Sequence, residues 1–256
     1  MIIFNLIQPV LKEAKEKLQE IVAGNLMGDA VVKVTIGILS VKQAIGSPNR
    51  QDFPLLQGKE VMIEAQVLGS YGQAFTDTPK EFNGALNDIL SLDLVTNDNR
   101  AIFIATLHAV AAHLNMVTGT RHCHDEEPEK CAAQIAQHIM ADSGKIKVGL
   151  IGLQPVILEN LVITFGADNV RCTDLNPNNM GAIKYGAEIW DGRTETEKLI
   201  KWCDLVLVTG STIINNTFDE IREEATSQSK RLIIFGVTIA GISVLLGLER
   251  VCFQPH

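Results

Sequence analysis

The sequence predicts an α/β chain in two parts: an N-terminal α+β domain, then a Rossmann-like parallel-sheet domain. Three observations predict it. The first half carries alternating, one-face-wet strand patterns followed by a run of helical patterns. The second half alternates apolar strands with helices, as a sheet covered on both faces requires. The texture changes at Asp142-Ser143-Gly144, so the boundary is drawn as 1–143 and 144–256.

Taken in order, the start MIIFNLIQPVLKEAKEKLQE reads as an amphipathic helix, without the basic n-region of a secretory signal. Residues 31–39 are β-branched, and residues 60–68 alternate polar and apolar; both read as strands, with 71–76 as a short third. The stretch SPNRQDFPLLQGK between the first two reads as a loop from its Pro, Asn and Gly. Helical patterns follow at 82–91, 99–117 and 128–141. In the last, Ala132, Ile135, Ala136 and Ile139 share a face, and Pro128 suits a first helical turn. In the second half, strands are expected at 146–151, 170–173, 205–209, 231–235 and 250–253. Helices are expected at 155–165, 194–203 and 217–226.

Composition excludes several functions. Of 256 residues, 46% are hydrophobic and 20% charged, enough apolar surface for real cores. A net charge of −8 and only 13 aromatic residues argue against a nucleic-acid partner. The uncharged run Leu232–Leu248 is short for a bilayer span and holds Gly236, Gly241 and Gly247, so no membrane partner is expected. Five scattered cysteines do not form a secreted disulfide framework, and a cytoplasmic location is expected.

Ligands of an open parallel sheet bind beyond the carboxyl ends of its strands. Small or polar residues stand at four such ends: Gly152 with Leu153, Gln154 and Pro155; Asp174; Thr209-Gly210-Ser211-Thr212; and Gly236. All of these types are also common in plain loops. The GxGxxG fingerprint is absent, although Asp174 has about the spacing of a ribose-binding acid. Thr217-x-x-Glu220 fits a capping box, which leaves Asn215 as the better ligand contact.

The most unusual stretch is Arg121-His122-Cys123-His124-Asp125-Glu126-Glu127-Pro128-Glu129-Lys130-Cys131. Imidazole and thiolate suit zinc, iron or copper, and a loop could converge His122, Cys123, His124 and Cys131. A helix N-terminus would lower the pKa of the Cys131 thiol. The spacing matches no zinc finger, and a solvated helix entry with Cys131 packed as a small apolar residue is the plainer alternative. His108 and His113 do not share a helix face and read as core or edge histidines.

The run from KVGLIG through CDLVLVTGSTIINNTFDEI resembles the family labelled "putative heavy-metal chelation". The resemblance rests on Gly152 and Pro155, on Cys203 to Gly210, and on Asn215, Thr217 and Asp219. The first half resembles it more loosely, at Ala105-Thr106-Leu107-His108-Ala109, where the family would have Asn in place of His108. Instead of the family's Gly-Pro-Ser/Thr turn, this chain has Gly236-Val237-Thr238-Ile239-Ala240-Gly241. The resemblance implies an enolase N-terminal-like domain joined to a Rossmann-like one, with a site in the cleft between them.

The leading expectation is a protein binding a transition metal or metal-containing small molecule there. His122, Cys123, His124 and Cys131 would be ligands, and Gly152, Pro155, Asp174, Thr209, Gly210, Ser211 and Asn215 would line the opposite wall. The competing reading is an enzyme with a nucleotide-type cofactor on Asp174. A third is a non-catalytic scaffold or homo-oligomer.

Overall fold

The computed structural model describes residues 8–36 and 60–254. The expected loop at 47–59, the end of the first expected strand and the first seven residues lie outside them. Helix α1 (Pro9–Gly24) opens the chain. Its buried residues Val10, Leu11, Ala14, Leu18 and Val22 recur at the spacing of one helical stripe, and Pro9 occupies a first-turn position where its missing N–H costs nothing. A four-stranded sheet follows, built from β1 (Val31–Ile36), β2 (Val61–Val67), β3 (Ser70–Thr76) and β4 (Phe82–Ala85). Its order is β3-β2-β1-β4, and the pairs are antiparallel.

Residues 82–91 are expected as one helix. In the structure the first four are β4, paired with β1, and only α2 (Leu86–Ser91) is helical. Phe82-Asn83-Gly84 is too short a run for its period to be told apart, and the open edge of β1 decided it. Helix α3 (Asn97–His113) is buried nearly all round, so it shows almost no amphipathic contrast. It lies against β2 and β3. His108, on this helix, is fully enclosed; its Nδ1 donates to the Gln73 carbonyl oxygen at 3.0 Å, while its Nε2 has no partner.

Burial pushes the His108 pKa down from 6.5 to about 3. The unfolded chain therefore takes up a proton here that the folded one refuses. This contribution to stability is full above pH 6.5 and is lost as pH falls toward 3. Urea unfolding across that window is expected to show a shallower acid slope for His108→Gln than for the parent. Equal slopes would assign the acid sensitivity elsewhere.

Helix α4 (Glu127–Ser143) precedes a seven-stranded sheet of order β11-β10-β9-β5-β6-β8-β7. Its members are β5 (Val148–Ile151), β6 (Val170–Asp174), β7 (Ile183–Lys184), β8 (Ala187–Asp191), β9 (Leu205–Thr209), β10 (Arg231–Phe235) and β11 (Arg250–Val251). All neighbours are parallel except the β7–β8 hairpin. The connecting helices are α5 (Pro155–Phe165), α6 (Thr196–Trp202), α7 (Ser211–Ile214), α8 (Phe218–Ser227) and α9 (Ala240–Leu246). The β7–β8 hairpin and the short helix α7 were not expected from sequence, whereas a strand, a turn and a short helix were expected over 232–248. Among the described residues no helix is long and apolar enough to cross a membrane. The uncharged run 232–248 is divided between β10, a 3-10 turn and α9.

Strand β9 shows how the layers divide. Leu205 and Leu207 face one core with α4, α5, β5 and β6, whereas Val206 and Val208 face another. That second core is continuous with the apolar faces of α1, α3 and the antiparallel sheet. Helix α4 packs with α5, on the parallel sheet. Polar ties stitch the two sheets together. Arg100 Nε donates to Ile214 O at 2.7 Å, Gln8 Nε2 to Ile213 O at 2.8 Å, and Arg250 Nη2 to Gly119 O at 3.2 Å. The Val10 N–H donates to Asp219 Oδ2 at 3.1 Å.

Candidate functional site

A cleft of about 800 Å³ opens beyond the carboxyl ends of the parallel strands. One wall is made by those ends. Gly152 follows β5 at φ +87°, and a Cβ there would lie 3.2 Å from the Thr209 Cβ, so glycine is required both by conformation and by space. Gln154 caps α5, its Oε1 accepting from Ile157 N at 3.0 Å, and Pro155 starts the helix. After β9, Ser211 N and Thr212 Oγ1 both turn back to Thr209. Gly152, Pro155, Asp174, Thr209, Gly210, Ser211 and Asn215 all line the cleft.

The facing wall comes from the first sheet and the segment before α4. Gln73, almost fully enclosed on β3, sets its position: Nε2 donates to Glu64 Oε2 at 2.8 Å, and Oε1 accepts from His122 N at 2.7 Å. Arg121 Nε also reaches Glu64, at 2.9 Å. The His122 ring meets Phe75 edge-on at 5.3 Å between centroids. His122, Cys123 and Cys131 line the same cleft as the strand ends; His124 does not.

The four residues do not assemble as one ligand set. Among the described residues, no group of three or more His, Cys, Asp or Glu is placed to hold a metal ion. The His124 N–H is turned to Glu127 Oε2 at 2.7 Å, and Cys123 Sγ is 3.9 Å from His122 Nδ1. Burial, first, pushes the Cys123 thiol up to about 12. Cys131 instead meets the segment that follows β11, where Cys252 also lines the cleft. The Phe253 N–H also donates to Cys131 Sγ, at 3.4 Å. The neighbouring Cys252 thiol, the backbone N–H groups of Phe253 and Gln254, and the Arg250 charge lower the Cys131 thiol against desolvation. Cys252, beside it, is shifted upward. The pair's donor set fits a soft ion taken by two sulfurs, and does not fit a closed four-ligand zinc site.

The Asp174 carboxylate is engaged: Oδ2 accepts from Leu153 N at 2.9 Å, and Oδ1 from Asn176 N at 2.8 Å and Asn179 Nδ2 at 3.0 Å. These bonds shape the rim of the cleft, which Asp174 lines. Thr217 is no side-chain cap; its Oγ1 donates to Thr212 O at 3.4 Å. Asp219, in the first turn of α8, is buried with its Oδ2 accepting from the Val10 N–H, so it ties α8 to α1.

Two lining residues were missed. Cys252 reads as an ordinary strand-end residue, and only the closing of β11 beside α4 gives it a role. Glu60 stands before β2, and burial, then Asp174 and Asp77, push its carboxyl up to about 7. It therefore exchanges its proton near neutrality while facing a polar cleft.

This geometry sits on a chain with a recognisable second half. Residues 135–248 match the model of DUF364, described as "Putative heavy-metal chelation". The DUF364 match contains every strand-end residue of the cleft, together with the C-terminal part of α4. Cys131 and Cys252 lie just outside it on either side. A DUF364 protein of unknown function from Pyrococcus horikoshii is similar in structure, with a TM-score of 0.52 at 17% identity, over 90% of this chain and 79% of that one. A second, from Desulfitobacterium hafniense DCB-2, has a TM-score of 0.49 at 14% identity, over 73% and 72%. The first likeness establishes the mixed fold with its two sheets. No curated protein matches the chain.

Proposed function

We propose that the cleft binds a soft transition-metal ion, alone or carried by a small molecule, with Cys131 and Cys252 as the sulfur ligands. The observation that carries this reading is that both cysteines line the cleft and that the N–H of Phe253, the neighbour of Cys252, is directed at Cys131 Sγ at 3.4 Å. Paired thiolates select soft ions over magnesium or calcium. The polar strand ends opposite, from Gly152 to Asn215, suit the remainder of a carrier molecule. The family description points the same way. Cys123 and His122 line the same cleft and complete its environment. His124 has no part in it.

Titration of reduced, metal-free protein with Cu(I) or Zn²⁺ against a competing chelator tests this. Thiolate-to-metal absorbance in the ultraviolet reports the sulfurs directly. Cys131→Ser and Cys252→Ser are each expected to weaken binding by at least about tenfold, equivalent to about 1.4 kcal/mol, while His124→Ala leaves it unchanged. Binding by both cysteine variants at parental affinity would end the assignment.

A further inference from the structure

We propose that the strand-end wall of the cleft holds a ribonucleoside that carries no phosphate, with a ribose hydroxyl donating to Asp174 and the base lying on Leu175. This goes beyond metal binding and draws on neither Cys131 nor Cys252.

The strand order gives the place. From β5 the chain builds outward through β6 and β8, then crosses back to β9 and builds the other way through β10 and β11. The connections after β5 and β9 therefore part in opposite directions and leave a crevice between them, which is where an open parallel sheet takes its ligand. Gly152 and Thr209, at those two strand ends, both line the cleft.

The side chains give the ligand's class. Asp174 ends β6, the neighbour of β5. A carboxylate offers about four acceptor positions. Three are taken, by Leu153 N on Oδ2 and by Asn176 N and Asn179 Nδ2 on Oδ1. Those bonds fix the group in place and leave Oδ2 able to accept once more, which suits a hydroxyl. The next residue, Leu175, also lines the cleft and is 38% exposed. A fixed acceptor beside an exposed apolar side chain matches a hydroxylated sugar joined to a flat base.

Charge decides against a phosphate. Among the described residues of the lining, carboxylates outnumber Arg121, Lys184 and Arg193 by five to three. Helix α5 starts on this wall with Pro155, which has no N–H, and with Gln154 Oε1 already accepting the Ile157 N–H. Helix α8 carries Asp219 and Glu220 in its first turn. Acids at a helix start repel the anion that such a start otherwise attracts.

The experiment records saturation-transfer NMR of the full chain with adenosine, guanosine, cytidine and uridine in turn, with chelator present throughout. At least one is expected to bind. For that nucleoside the 2′,3′-dideoxy form should bind at least about tenfold more weakly, as loss of a hydrogen bond to a charged acceptor requires. Its 5′-monophosphate should bind no more tightly than the nucleoside. Leu175→Gln should weaken binding at least about threefold. Failure of all four to bind overturns the proposal, as does equal binding of the dideoxy form, tighter binding of the monophosphate, or parental affinity in Leu175→Gln. The ligand comparisons use the parent alone, so they decide even if the variant fails to fold. Because chelator excludes metal, failure here leaves the metal titration standing, and a failed titration leaves this result standing.

Discussion

Gly72→Ala is expected to cost more than about 3 kcal/mol, the upper end for overpacking a core, because the new methyl group meets backbone. Gly72 lies on β3 where the strand crosses α3. A Cβ there would stand 2.5 Å from Ala109 N and 2.5 Å from His108 Cβ, and closer still to Ala105 O. A flexible side chain could yield, but a helix backbone cannot without moving the strand. That strand holds Gln73 and Phe75, which set the position of His122 and the cleft wall. Loss of stability and loss of cleft geometry are therefore expected together. The urea midpoint measures the first, and iodoacetamide accessibility of Cys131 the second. A loss under about 1 kcal/mol would show that β3 can lift from α3 freely.

Asp174→Ala should be the most damaging change on the other wall. Three donors, Leu153 N, Asn176 N and Asn179 Nδ2, lose their shared acceptor. Hydrogen bonds to a charged group contribute about 1.5–3 kcal/mol each, and partial re-solvation at this rim offsets some of the loss, so a net cost of about 3 kcal/mol is expected. The β5–α5 turn at Gly152–Leu153 and the Asn176–Asn179 turn both border the cleft, so both edges should loosen. Hydrogen exchange at Leu153 and Asn176 is expected to accelerate before that of the β9 core. Unchanged protection at both amides would mean that the carboxylate is not what holds the rim.

The legible parts of the fold were those written in local period. Strands 205–209 and 231–235 and helix 155–165 are found where the pattern places them, because unbroken apolar runs between turn residues admit few alternatives. The β7–β8 hairpin was hidden. Ile183-Lys184 is too short to have a period, and Ala187–Asp191 becomes a strand by pairing with the edge of β6. The same limit applies to the site. The strand-end residues were legible, since a parallel sheet places all such ends on one rim. The neighbour of Cys131 was not: its place in the sequence suggested His122, Cys123 and His124, and the segment that reaches its sulfur is Cys252-Phe253, through the Phe253 N–H.

By itself the sequence determined the mixed α/β character, the alternating second half and the polar rim at the carboxyl ends of its strands. All three follow from patterns within a dozen residues, where side-chain period and turn chemistry are set by the backbone. Only the tertiary structure decided which groups face one another across that rim. It turned the oxygens of Asp174 to two turns, buried Asp219 under α1, and brought the Cys252-Phe253 segment to Cys131. Contacts between elements far apart in the chain depend on how whole layers stack, and no local spacing records that.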